Sequence, residues 1–223
     1  MGQLVYYLLF FALTSGVIYE HPWVAGFAIF IFVFRHRLPD PLVFFRTRGR
    51  IRSLQIQIRQ NADNVTARRD LALVWLERKR PRRAIPLLEE ALRREHESAE
   101  LEYLFGLALV RTRRYEEALP HFIAAATLEP KLRYGEIYLA AAVALLALGR
   151  GAEAEDSLLR FLKINASSVE GWVRLAKLRR KQGDKEGART ALTAAAEAFD
   201  QSPRFRRRKE LAWYLRAQIA RVL

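Results

Sequence analysis

AELEYLFGLALVRTRRYEEALPHFIAAATLEPKL, residues 99–132, decides the fold of this 223-residue chain. Small residues stand at Gly106, Ala118 and Ala125, and large ones at Phe105, Leu109 and Phe122, with Pro130 closing the stretch. That spacing describes two antiparallel helices: the small positions let the backbones approach, and the large side chains fill the adjoining holes. Shifted back by 34 residues, the pattern recurs over residues 65–98 as Leu71, Ala72, Trp75, Ala84, Leu88 and Ala91. Two inserted residues then move the frame. Residues 135–168 offer Tyr138, Ala142, Leu145, Gly149, Ala154 and Leu158, but Phe161 occupies a place where a small residue is expected. Residues 169–202 restore the pattern with Trp172, Leu175, Ala176, Gly183, Ala188, Leu192 and Ala195. Pro86 and Pro120 hold equivalent places and read as opening-turn prolines of second helices, where a missing amide hydrogen costs little.

A period of 34 residues with this small-large spacing resembles the tetratricopeptide-repeat (TPR) family over residues 65–202. The resemblance implies an all-α fold: a TPR α-solenoid of about four helix pairs, with first helices lining a concave groove and second helices forming the convex back. It also implies a protein that binds other proteins and carries no chemistry of its own. After Pro203, a helix with Leu211, Leu215, Ile219 and Val222 on one face is expected to cap the fourth unit, and Trp213 and Tyr214 are left as candidates for docking a partner. The cap occupies residues 203–223.

In this register the second, fifth, ninth and twelfth residues of each unit face the groove. Its centre is then Tyr103, Leu107, Val110, Leu139, Val143 and Leu146, with Arg69, Leu73 and Leu76 at one end and Val173, Lys177 and Arg180 at the other. This lining has no Asn, so the Lys and Asn clamp by which some relatives of the resembled family hold a C-terminal carboxylate is not expected. An apolar floor with basic ends suits an amphipathic helix laid lengthwise, from a foreign protein, from the chain's own linker or C-terminal helix, or from a second copy in a homo-oligomer.

Upstream of the repeats the composition changes. Residues 1–19 carry no charge, and after Glu20 and His21 a second uncharged run covers residues 22–34. No Lys or Arg precedes Arg35, and no small-residue cleavage site follows the apolar stretch, so a removable signal peptide is not expected. The first run is long enough to span a bilayer, whereas the second reaches only roughly 20 Å of a 30 Å hydrocarbon core. Three layouts remain: a hairpin of two tilted or short helices, one span with an interfacial helix, or a buried soluble hairpin. The polar break Glu20-His21-Pro22 favours a transmembrane helical hairpin over residues 1–38. Tyr19 and Trp23 then mark one interface, and Arg35, Arg37, Phe44, Phe45, Arg46 and Arg48 the other. Arginines concentrated after the second run place the repeats on the cytoplasmic side of an inner membrane. Residues 39–64 form a basic interfacial and amphipathic linker, with Ile51, Leu54 and Ile58 at helical spacing.

The chain holds 38 Lys and Arg against 24 Asp and Glu, a formal net charge of +14. The turns inside the units form a basic edge of Arg78, Lys79, Arg80, Arg82, Arg83, Arg111, Arg113 and Arg114, expected to face a lipid surface or an acidic partner. Cations at helix C-termini account for part of this pattern. A nucleic-acid-associated helical-repeat protein is the competing reading, disfavoured by the apolar N-terminus. No Cys is present, and His21, His36, His96 and His121 lack ligand spacing, so neither a metal site nor thiol chemistry is expected. Gly149-Arg150-Gly151 is a turn without a preceding strand, not a phosphate loop. The sequence therefore points to a membrane-anchored scaffold or assembly protein. Its partners would be an amphipathic helix, integral membrane subunits and lipid; no catalytic residue or cofactor is expected.

Overall fold

The structure, a computed structural model, describes residues 41–222, and every regular element in them is helical. In order these are α1 (Pro41–Gln60), α2 (Val65–Glu77), α3 (Pro81–Leu92), α4 (Ala99–Arg111), α5 (Tyr115–Leu128), a short 3-10 turn (Leu132–Gly135), α6 (Glu136–Ala147), α7 (Gly151–Ile164), α8 (Val169–Lys181), α9 (Lys185–Asp200) and α10 (Arg204–Val222). The hairpin expected over residues 1–38 lies outside the described residues. None of the described helices is long and apolar enough to cross a membrane.

Contacts divide the chain into two units, Met1–Arg80 and Pro81–Leu223. In the first, α1 packs on α2 and buries Ile51 and Leu54, so the linker's apolar stripe meets protein. Arg78 Nε donates to Thr47 Oγ1 at 2.7 Å, and Arg50 lies 3.5 Å from Asp70. Pro41 opens α1, where its fixed φ suits the first helical position, and one helix runs from there through Arg46, Arg48, Arg50 and Arg52. Asn64 caps α2 by accepting from the Ala67 amide at 2.8 Å.

In the second unit consecutive helices stack on their neighbours. Small residues set the seams. A Cβ built on Gly106 would sit 2.7 Å from the Phe122 ring, which ties α4 to α5. One built on Gly171 would sit 2.7 Å from Phe161, which ties α8 to α7. Phe161, the large residue in a small position, is thus accommodated by a glycine on the next helix. A core of Ala142, Leu145, Leu158, Phe161, Leu175, Leu192 and Ala195 runs through the stack.

Each turn between the helices of a unit ends in the same way. Lys79, Arg113, Gly149 and Gly183 have φ of 55°, 67°, 77° and 88°. The following amide reaches the carbonyl five residues back: Arg80 to Trp75, Arg114 to Leu109, Arg150 to Leu145 and Asp184 to Arg179, at 2.9 to 3.0 Å. This is the left-handed C-terminal cap that satisfies the last helical carbonyls, a role glycine fills without strain. Two units place a cation there instead.

The prolines depart from expectation. Pro86 is the sixth residue of α3 and Pro120 the sixth of α5, inside the helices and past the opening turn, so each removes one backbone hydrogen bond. Both prolines are exposed.

Candidate functional site

The two inserted residues, Arg133 and Tyr134, shape the centre of the second unit. Both are left-handed, with φ/ψ of 48°/42° and 57°/37°, and Gly135 follows at φ 79°. Arg133 reaches back to Glu100 through Nη2 at 2.5 Å and Nε at 3.2 Å, and its guanidinium lies 5.7 Å from the centre of the Tyr103 ring. The Tyr103 hydroxyl donates to Glu136 Oε2 at 3.2 Å. Burial, with the Glu136 carboxylate beside it, pushes that hydroxyl above its ordinary range, so it stays a neutral donor. Tyr103 is 5% exposed: the inserted turn covers the residue that the sequence placed at the groove's centre.

The other groove positions fall into three groups. Leu107, Val110, Leu139, Val143 and Leu146 are half-buried and form an aliphatic stripe on α4 and α6. Of these, Val110, Leu139 and Leu146 rest on the shared core, and Val173 on α8 is buried in it. Lys177 and Arg180 are exposed, and Arg180 donates to the Ala220 carbonyl of α10 at 3.2 Å. In the first unit, Arg69 and Leu73 are half-buried and Leu76 is buried, with Arg69 bonded to Asp70 at 3.0 Å. The C-terminal helix does not lie along the stripe; its packing partners are α8 and α9.

Of the basic edge, Arg78 is half-buried, while Lys79, Arg80, Arg82, Arg83, Arg111, Arg113 and Arg114 are exposed. Arg114 grips Glu117 in a bidentate pair, and Arg150 pairs with Glu153 at 2.6 Å and Glu116 at 3.5 Å. These pairs hold the Glu117 and Glu153 carboxyls below the usual range through hydrogen bonds from the arginines. Part of the edge's charge is therefore neutralised by the first turns of second helices, which sequence counting did not anticipate. Of the membrane-interface residues, Tyr19, Trp23, Arg35 and Arg37 lie outside the described residues. Phe44 and Phe45 fall within α1, and Arg46 and Arg48 on the same helix are exposed.

The sequence reading missed a hollow on the side away from the stripe. It has a volume of about 1100 Å³ and lies between α5 and α7, floored by Tyr138 and Ala141 of α6. Its walls are apolar at Pro120, Ile123 and Ala124, and Arg150, Asp156 and Arg160 rim it. Ile123 is 68% exposed. The available signal was local: Ala124, Ala141, Ala152 and Ser157 are small residues clustered around one exposed isoleucine.

Comparison with known proteins agrees with this architecture. A family profile described as tetratricopeptide repeat matches residues 51–101 and 103–169. A crystal structure of MamA has 19% identity and a TM-score of 0.66, covering 70% of this chain and 92% of that one. MamA from Desulfovibrio magneticus RS-1, residues 41 to the end, has 15% identity and a TM-score of 0.64, covering 69% and 86%. YrrB, described as a TPR protein with an unusual peptide-binding site, has 17% identity and a TM-score of 0.65, covering 81% and 86%. At these identities the likeness concerns the fold. No curated protein matches the sequence.

Proposed function

We propose, from the premise that this chain belongs to the tetratricopeptide repeat family, that it is a scaffold or assembly factor holding a protein segment against its repeats at an inner membrane. The observation that carries this reading is the aliphatic stripe of Leu107, Val110, Leu139, Val143 and Leu146, which stays half-buried across two successive first helices. An apolar strip of this kind is what an amphipathic helix or extended segment covers on binding. The peptide-binding site named for YrrB supports the same class of ligand.

The membrane part of the proposal rests on sequence. The uncharged runs at 1–19 and 22–34, followed by Arg35 and Arg37, suit a tether with the repeats on the cytoplasmic face. Alkaline extraction of membranes tests it: the full chain stays in the pellet, and its release into the supernatant would remove the tether.

For the client, a photo-crosslinking residue at Leu107 in intact membranes yields a discrete adduct. Adducts no stronger than from Thr190, exposed on α9, would sink the stripe reading. The hollow supports a second docking place, so a crosslinker at Ile123 is the paired arm. Adducts from Ile123 alone would move the client to the outer face. Nucleic acid remains the competing partner; binding that collapses with salt, at about one unit of log-log slope per phosphate contacted, would favour it.

A further inference from the structure

Helix α10 has two apolar faces and uses one. Trp213, Tyr214 and Ala220 pack against the core, and Ala217 is fully within it. Tyr214 stacks on Phe199 with ring centres 4.1 Å apart, and the Arg174 guanidinium lies 4.9 Å from the Trp213 ring centre. This reverses the roles expected from sequence, which assigned capping to the aliphatic stripe. Leu211, Leu215 and Ile219 instead point outward on successive turns and are 46%, 52% and 61% exposed.

That outward face has a recognisable composition. Leu211, Ala212 and Leu215 repeat the spacing of Leu71, Ala72 and Trp75 and of Phe105, Gly106 and Leu109. In α4 this triplet receives the second helix of its own pair. The Phe105 ring centre is 4.5 Å from that of His121, a Cβ on Gly106 would meet Phe122, and Leu109 is 1% exposed. Among the described residues, no helix performs that service for α10.

We propose that α10 presents its open face as the first helix of a further pair would, and that this face takes one acidic amphipathic α-helix from another polypeptide. The repeat supplies the apolar half of this ligand's description: small, large and small residues at the spacing of Ala118, Phe122 and Ala125. Charge supplies the other half. Arg204 and Arg208 lie on the same side as Leu211, and both are exposed, as are Lys209 and Arg216, whereas the one acid of α10, Glu210, is half-buried. One pair in this chain sets the precedent: Glu155 on the second helix α7 meets Arg179 on the first helix α8 at 2.8 Å.

The test uses a helix-stapled fluorescent peptide with that small-large-small pattern and glutamates on its outer positions, titrated by anisotropy against the full chain in detergent. One peptide binds per chain. Leu215→Glu weakens binding about tenfold or more, as loss of a buried leucine should, and Arg208→Glu weakens it less. Both residues are exposed, so the melting temperature of the free protein is unchanged. No binding, or binding indifferent to Leu215→Glu, overturns the proposal. Loss through Leu107→Glu with Leu215→Glu silent also overturns it, while leaving the stripe reading intact. Equal binding of a lysine-flanked peptide refutes the acidic ligand. A dimer dispersed by Leu215→Glu would make a second copy the occupant, against the proposal.

Discussion

The junctions on either side of the third helix pair join similar helices by different means. Between α7 and α8 the connection is short and closed by local chemistry. Ser168 accepts from the Gly171 amide at 3.2 Å, Trp172 Nε1 donates to the Ala166 carbonyl at 2.8 Å, and Gly171 lets Phe161 and Leu162 press on the α8 backbone. Between α5 and α6 two extra residues are absorbed by a left-handed turn, and α6 starts at Gly135 without a side-chain cap. What holds that junction is distant in sequence: Glu100 and Tyr103 of α4, joined to Arg133 and Glu136. Close apolar approach secures one junction and a polar staple the other, so substitutions should separate them.

The largest effect is expected from removing the ring beneath the staple. Tyr103→Ala should cost about 3–5 kcal/mol in urea unfolding, the range for a buried aromatic, whereas a cost under about 1 kcal/mol would mean that the ring bears little of the junction. On the other side, Gly171→Ala should cost about 1–3 kcal/mol, because its Cβ meets Phe161 and Leu162 at once. Pairing it with Phe161→Leu should recover part of the loss, and strict additivity would deny the contact. Tyr103→Phe keeps the ring and loses only the bond to Glu136, so about 1 kcal/mol is expected. Tyr134→Gly relieves a left-handed tyrosine that is itself exposed, and should stabilise by about 1 kcal/mol. Least of all, Glu100→Gln removes a partly exposed ion pair, for about 0.5 kcal/mol that fades with added salt.

Some of this was legible in the sequence. The small-large spacing is a packing code, and α2, α4 and α8 begin at the residues where it restarts: Val65, Ala99 and Val169. Periodicity also marks which side chains share a face, but not which of two apolar faces is covered; on α10 both faces are apolar, and stacking of aromatic rings decided the matter. Tyr103 holds a groove position in the register, yet the turn that covers it comes from an insertion whose left-handed path no side-chain pattern encodes. The hollow was hidden for a related reason: small residues on α5, α6 and α7 create it jointly, and no single period joins them. Charge counting overestimated the basic edge because it ignored the glutamates one helical turn beyond Arg114 and Arg150.

Neighbour-only stacking carries a consequence for how the molecule opens. Each helix of the second unit rests chiefly on helices one or two places away along the chain, so no long-range clasp ties α10 to α4. Fluctuations should then fray from the terminus inward, with α10 amides exchanging soonest and the glycine-sealed contact of α4 with α5 among the last to yield. A ligand seated at the far end would slow that fraying along several helices it never touches.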